Sequence, residues 1–453
     1  MSTRKNLSRS LKKVLIVTYY FPPAGGAGVQ RTLKFVKYLR DFGWEPVVLT
    51  ARNADYPAYD PSLEAEIPEG VKVYRSGIFE PYWFYRKLTG RGADESTDIA
   101  TLTLDNARQR KLGERVSEWV RAAVFVPDAR IGWYAFANRV GKRVAEKEKI
   151  DVILSSAPPY TTHLIGLRLH RATGLPWVAD FRDSWIGWVS APQWRPKLSR
   201  ALEWRMERAV LQKADTIITV SRGVEDDLLG RHPQLRDGRW RFLPNGYDAA
   251  DFHGVTPAPR GNKIVITYAG SMYGARNPEY LLQALELLQK DQPQVVDRLR
   301  VRLVGRIGEP IAARMRSSSV YHIFEMVPYV THRESLSYLL GSDVLLLIID
   351  DAPASSGILT GKLYEYIGAG KPILALAPEG EAADLIRKYK LGWAVPPKDS
   401  AAILKVLHEI VDHRGREKEP PQVGGALGTR FERRNQTGEL ARILDELIGA
   451  QRA

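Results

Sequence analysis

Asn245-Gly246-Tyr247-Asp248-Ala249-Ala250-Asp251-Phe252-His253-Gly254-Val255-Thr256-Pro257-Ala258-Pro259-Arg260-Gly261-Asn262 divides the chain into two halves that read alike. Its Gly, Pro, Ala and Asp are the composition of a linker. Upstream, short β-branched runs at 14–19, 46–50, 152–155, 177–181, 216–220 and 241–243 alternate with helical patterns. Downstream, a second series occupies 264–269, 301–304, 322–325, 344–349 and 373–375. Such runs, apolar on both sides, are expected of parallel strands covered on both faces. The expected fold is therefore α/β, with two doubly wound, Rossmann-like domains facing each other across a cleft. The expected boundaries are 1–250 and 251–429, followed by a helix over 430–453 that packs back toward the first domain. In that helix Leu440, Ile443, Leu444 and Leu447 recur at i, i+3, i+4 and i+7. Residues 54–130, rich in Tyr, Pro, Gly and charge, read as an elaboration of the first domain.

The whole chain, 453 residues long, exceeds what one hydrophobic core usually supports. Its 44% apolar and 26% charged residues are those of a globular protein, which excludes a disordered or fibrous class. The net charge of +14 calls for an anionic partner: nucleic acid, an acidic membrane or a phosphorylated substrate. Zero cysteines exclude disulfides, thiolate nucleophiles and Cys-ligated zinc, and fit a reducing compartment. Arg4, Lys5, Arg9, Lys12 and Lys13 precede an apolar run too short for an export signal. No run approaches the length of a membrane span; that at 344–349 stops at Asp350 and Asp351. A soluble or membrane-peripheral chain is expected.

Ligands of doubly wound sheets bind beyond the carboxyl ends of the strands, so the loops there carry the chemistry. After the first run comes Phe21-Pro22-Pro23-Ala24-Gly25-Gly26-Ala27-Gly28, which opens a helix with Val29, Leu33, Val36 and Leu39 inward. Free N–H groups at such a start suit an anion or a close-lying sugar, which makes Gly25 and Gly26 candidate ligand contacts; a plain tight turn is the simpler reading. A dinucleotide fingerprint fails, because Arg31 stands where its third glycine belongs. Arg31, Lys34 and Lys37 share one face of this helix, and residues 1–40 hold nine Lys or Arg and no Asp or Glu. A solvated face explains them, and a face lying on anionic lipid is the sharper reading. Nucleic-acid binding ranks below both, since no such signature occurs.

Several catalytic patterns fail on spacing. Gly357 to Leu363 is not a P-loop, and His408 and His413, five apart, cannot share zinc from one helix face. No Asp-x-Asp is present, which favours metal-independent chemistry. The informative block is Ser355-Ser356-Gly357-Ile358-Leu359-Thr360-Gly361-Lys362-Leu363-Tyr364-Glu365-Tyr366-Ile367-Gly368-Ala369-Gly370-Lys371-Pro372. Backbone N–H groups at its helix start can hold a phosphate, and Glu365 can accept two hydrogen bonds from a ribose diol. A carboxylate there is also simply favourable to the helix dipole.

This block resembles the nucleotide-sugar signature of glycosyltransferase family 4, whose members have the GT-B fold. Leu243-Pro244-Asn245-Gly246-Tyr247-Asp248, Tyr268-Ala269-Gly270-Ser271 running on to Arg276, and Tyr329-Val330-Thr331-His332-Arg333-Glu334 resemble further segments of that family. The resemblance implies a retaining, metal-independent transferase whose donor is a nucleoside-diphosphate-sugar of UDP or GDP type, a substrate rather than a cofactor. Arg276 and Lys362, with Arg306 and the N–H groups of 357–361, would hold the diphosphate, and Glu365 the ribose; Gly270, Ser271, Gly361 and Leu363 complete the expected donor contacts. In Trp177-Val178-Ala179-Asp180-Phe181-Arg182-Asp183-Ser184-Trp185, Asp180 or Asp183 would face the acceptor, with His163 as a second candidate base; an Asp183–Arg182 pair and a His163 that only caps and packs are the plainer readings. Three departures stand out. Gly357 occupies the place of the first of two family glutamates, Ser271 that of a clamp arginine, and Arg182 lies near where a histidine is common.

The expected acceptor is a glycan or polyprenyl-phosphate-linked sugar in cell-surface polysaccharide or glycolipid synthesis, reached from the cytoplasmic face of an anionic membrane. No nucleic acid is expected. Trp83, Phe84, Tyr85 and residues 130–136 are candidates for acceptor choice. The competing readings are a GT-B sugar-nucleotide epimerase, a non-catalytic basic scaffold or nucleic-acid binder, and an inactive transferase-like subunit.

Overall fold

The computed structural model describes residues 11–56, 58–79, 125–186, 196–274, 276–352, 355–413 and 426–452. The first sheet contains β1 (Lys12–Val17), β2 (Trp44–Ala51), β3 (Lys72–Ser76), β4 (Val152–Ala157), β5 (Trp177–Phe181), β6 (Thr216–Thr219) and β7 (Trp240–Phe242), in the order β3-β2-β1-β4-β5-β6-β7. The second contains β8 (Ile264–Ala269), β9 (Leu299–Val304), β10 (Phe324–Val327), β11 (Val344–Ile348), β12 (Ile373–Leu376) and β13 (Gly392–Val395), in the order β10-β9-β8-β11-β12-β13. All pairings are parallel, as in Val14↔Val152 and Leu345↔Ile373. The strand order reverses between β1 and β4 and between β8 and β11, which opens a crevice at the carboxyl end of each sheet.

The first domain carries α1 (Ala27–Tyr38), α2 (Tyr134–Glu148), α3 (Thr161–Thr173), α4 (Lys197–Lys213) and α5 (Arg222–Arg231). The second carries α6 (Glu279–Asp291), α7 (Pro293–Val296), α8 (Glu309–Arg316), α9 (His332–Leu340), α10 (Gly361–Ala369), α11 (Glu381–Lys388) and α12 (Ser400–His413). After α13 (Ala426–Phe431), α14 (Arg433–Arg452) lies against α1, with Leu440 and Leu444 in the first domain's core and Asp445 accepting from Trp44 Nε1 at 2.9 Å. The central strands are buried on both faces because helices cover them, which is why their sequences do not alternate.

Three elements differ from expectation for local reasons. Within 54–130, residues 72–76 belong to the sheet as the edge strand β3, which is only partly buried and so lacks an apolar run. β10 begins at Phe324 because Tyr321–Ile323 forms a 3-10 turn. β13 escaped notice because it is short and opens on Gly392 at φ +143°, where a Cβ would collide with the Ile373 carbonyl. Trp83, Phe84 and Tyr85 lie outside the described residues.

The largest correction concerns the basic face of α1. Arg31 and Lys34 are each 1% exposed, so neither water nor lipid reaches them. Arg31 grips Asp180 through Nη2 at 2.7 Å and donates to the carbonyls of Leu243 at 3.0 Å and Pro244 at 2.9 Å. Lys34 pairs with Glu66, Asp251 and, at 3.0 Å, Asp248; Lys37 reaches Asp248 at 2.9 Å. The linker crosses over α1 and brings its own carboxylates, so these charges fasten linker to helix. Burial opposes the charge on Lys34, but Asp251, Asp248 and Glu66 outweigh it and raise its pKa. Glu66, Asp248 and Asp251 have the spacing of a cation site, and the ammonium groups of Lys34 and Lys37 already serve as its cations. Removing one partner of a buried ion pair strands the other. Asp180→Ala is therefore expected to destabilise the first domain by about 3–5 kcal/mol, read by urea denaturation.

Candidate active site

On the second domain, α10 starts where the loop after β11 turns back. Tyr366 fixes it: its hydroxyl donates to Leu346 O at 3.1 Å and accepts from Ala269 N at 3.1 Å, tying the helix to β8 and β11. Lys362 is thereby aimed at the carboxyl end of β8. Its Nζ donates to Tyr268 Oη at 2.6 Å and lies 4.1 Å from that ring's centre, while Tyr268 donates to Ser271 O at 2.9 Å. Gly270, at φ +129°, makes room, since a Cβ there would overlap the lysine side chain. Arg276 approaches the same group, its Nε 3.6 Å from Asp350 Oδ1. Burial, and then repulsion from Arg276, pull the Lys362 pKa down to about 7 despite Glu365 and Asp350. Two cations thus stand together at the carboxyl end of β8, an arrangement suited to an incoming diphosphate.

Glu365 and Gly361 line a small cavity of about 20 Å³ with Gln30, Lys34, His332 and Arg433. His332 Nε2 lies 3.3 Å from Glu365 Oε1, and its main-chain N donates to Asp60 Oδ2 at 3.1 Å. Burial would lower the His332 pKa; Glu365 and Asp251 more than offset this, so the imidazolium is favoured beside the carboxylate. Sequence reading missed His332 as Glu365's partner. The capping box Thr331 to Glu334 marks His332 as the first residue of α9, but nothing local in the sequence points to Glu365, 33 residues away.

The remaining donor-side candidates divide. Ser271 and Gly270 adjoin Lys362 through Tyr268. Arg306 is exposed, its guanidinium 5.4 Å from the Tyr329 ring centre. Gly25 serves a contact between domains, because a Cβ there would lie 2.8 Å from Tyr329 Oη; Gly26, at φ +84°, caps α1. Leu363 is corrected: its side chain is core and its N–H is spent on Thr360 O at 3.2 Å.

Two acceptor-side candidates are also corrected by burial. Asp180 is fully enclosed, held by Arg31 and by Ser156 Oγ at 2.7 Å; burial would raise its pKa, and Arg31 reverses this. His163 is equally buried, 2.9 Å from Ser155 Oγ and 4.3 Å between ring centres from Phe181, and burial lowers its pKa to about 3. Asp183, at the carboxyl end of β5, is partly exposed, and has no hydrogen-bond or ion-pair partner among the described residues. Burial raises its pKa to about 6, against the pull of Arg182. Arg182 cannot pair with it fully, being committed to the carbonyls of Ala157 at 3.1 Å, Pro158 at 2.7 Å and Gly28.

The domains meet at Gly357, the position where the sequence resemblance implies a glutamate. Ser221 Oγ donates to Gly357 O at 2.9 Å, and Glu381 accepts from Gly223 N at 2.6 Å and Arg222 N at 3.2 Å. A Cβ on Gly357 would fall 2.6 Å from Gly223 Cα, so the backbones pass too close for any side chain. Gly357→Glu is accordingly expected to part the domains, shown by a larger radius of gyration in X-ray scattering, rather than to improve donor binding.

Residues 25–246 match the family described as glycosyl transferase 4-like domain, and residues 263–413 match glycosyl transferases group 1. The curated protein "Probable glycosyltransferase WbjE" of Pseudomonas aeruginosa is 23% identical over 286 residues, 60% of this chain and 68% of that protein. Sucrose-phosphate synthase of Thermosynechococcus elongatus superposes with a TM-score of 0.63 at 14% identity, covering 97% of this chain and 100% of the other. HepE of Anabaena, solved in complex with UDP, superposes at 0.61 with 14% identity, covering 96% and 100%. The structural likenesses establish the two-domain fold.

Proposed function

Because this chain is a glycosyltransferase of family 4 built on the GT-B fold, we propose that it moves a sugar from a nucleoside-diphosphate-sugar, of UDP or GDP type, to a hydroxyl of a glycan or polyprenyl-phosphate-linked acceptor. The observation that carries this reading is Lys362, hydrogen-bonded to Tyr268 and facing Arg276, one helical turn from Glu365. The leaving diphosphate gains charge as the glycosidic bond breaks, and cations already in place stabilise that charge. In this proposal Lys362, Arg276 and the N–H of Gly361 receive the phosphates. Glu365, oriented by His332, accepts from the ribose, and Gly270 and Ser271 border the sugar. Asp183 accepts the acceptor's proton. These cations take the part a metal would play, so the proposal includes no metal and no cofactor. The UDP held by HepE supports a nucleotide donor, and family membership supports retention of configuration. A role in cell-surface polysaccharide or glycolipid synthesis, at the cytoplasmic side of a membrane, completes the proposal. Among the described residues no helix is long and apolar enough to cross a bilayer.

The test is product analysis with a panel of UDP- and GDP-sugars, with and without lipid-linked acceptors. Acceptor-dependent glycoside formation, or slow release of free sugar and nucleoside diphosphate, is the expected result. Conversion of the donor into an epimer without acceptor would replace this proposal with the epimerase reading.

A further inference from the structure

The N-terminal half of α4 is inside out for a surface helix, whereas its C-terminal half turns Val210 and Leu211 into the first domain's core in the ordinary way. An amphipathic helix turns its charges outward and its apolar stripe to the core. Here Glu203 and Glu207 point inward and are buried, Glu207 receiving Arg231 Nε at 2.9 Å and His232 Nε2 at 2.9 Å. Outward stand Leu198, 82% exposed, Leu202, 42% exposed, and Trp204, 38% exposed. Lys197, Arg200, Arg205 and Lys213 are exposed beside them, and half-buried Arg208 lies 5.3 Å from the Trp204 ring centre. No exposed position of α4 carries a carboxylate. With its acids turned inside, the helix presents leucines and a tryptophan flanked by uncompensated cations.

We propose that the outer face of α4 is a membrane-contact surface. It lies on an anionic bilayer, with Leu198, Leu202 and Trp204 at the acyl boundary and Lys197, Arg200 and Arg205 at the headgroup phosphates. Charge complementarity selects this occupant. Two copies of the face would oppose like charges, whereas an anionic surface neutralises them, each cation near it strengthening binding roughly fivefold. Exposed leucines and tryptophan among basic residues are the composition of a helix lying in the interface plane. This takes over the lipid role first assigned to α1, whose cations are buried.

The placement also bears on the acceptor. α4 follows β5 in the chain and runs back toward the start of β6, so its Lys197–Leu198 end lies at the carboxyl edge of the sheet, the edge that bears Asp183. A bilayer beneath α4 would present a lipid-linked acceptor on that side. This corollary alone rests on the transferase reading; membrane binding itself does not.

The experiment is flotation of the full chain with phosphatidylcholine vesicles, with and without about one third phosphatidylglycerol. Two variants are compared, Leu198→Gln/Leu202→Gln and Arg200→Glu/Arg205→Glu, all of whose altered side chains are exposed. An unchanged thermal midpoint and an unchanged response to UDP or GDP serve as the check on folding. Expected are flotation with the anionic vesicles only, weakening with salt, and a loss of roughly tenfold or more in vesicle affinity for each variant. The proposal is overturned if the wild type fails to float, if either variant floats as well as wild type, or if neutral vesicles bind equally. It is equally overturned by an oligomer that the variants dissolve, or by salt-sensitive binding of single-stranded DNA in place of vesicles. Nucleotide binding is measured on the same samples, so failure to float leaves the donor-site reading standing.

Discussion

Lys362→Met is expected to lower kcat/KM for the donor by roughly 10³-fold, the scale of losing a preorganised cation from a phosphate-leaving reaction. Lys362 is half-buried and packs against Tyr268 and Gly270, and methionine keeps most of its length, so the fold should persist. The effect carries a pH signature. In the free protein the Lys362 pKa is about 7, depressed first by burial and then by Arg276. A bound diphosphate favours the ammonium form and raises that pKa, so binding takes up a proton at alkaline pH. Donor affinity is then fully present below pH 7 and falls as pH rises through it, by up to about tenfold per unit until the bound-state pKa is passed. In Lys362→Met that slope should vanish with the affinity, which loss of the fold alone would not produce.

Asp183→Asn should lower kcat by roughly 10²- to 10⁴-fold while leaving donor affinity nearly unchanged, because a general base acts on the acceptor and not on the nucleotide. Burial raises the carboxyl pKa to about 6, so it is ionised at neutral pH yet remains a stronger base than an exposed aspartate. The wild-type rate should fall as pH drops through about 6, where the carboxylate is protonated. The variant's small remaining activity should lack that limb. Asp180→Asn offers the contrast: its carboxylate is enclosed by Arg31 and Ser156, so its main effect should be on stability.

Much of the fold was readable because parallel strands covered on both faces leave an unbroken apolar signature. The bounds expected for residues 177–181 and 264–269 coincide with β5 and β8. Edge strands are wet on one side, and β3 left no such signature. The donor site was readable to the extent that it is local, since Gly361, Lys362 and Glu365 come from one helix start. What turned on distant partners was not. The spacing of Arg31, Lys34 and Lys37 describes a polar face, but the carboxylates that bury it, Asp180, Asp248 and Asp251, come from β5 and the linker far along the chain. Asp180 sits within a strand covered on both sides, a hint that its carboxylate would be enclosed. In α4 the pattern shows two unlike faces without showing which is inward; that depends on Arg231 and His232 meeting Glu207. Gly357, a departure from the family pattern in sequence, is explained only by the approach of Gly223 from the other domain.

The central claim is that a nucleoside diphosphate binds between the domains on Lys362. Calorimetric titration of UDP and GDP into the wild type and Lys362→Met, on either side of pH 7, tests it most directly. The account predicts one site for at least one nucleotide, tighter below pH 7 than above it, and a weakened, pH-insensitive interaction in the variant. Absence of binding by the wild type, or equal affinity in the two proteins at both pH values, would contradict it.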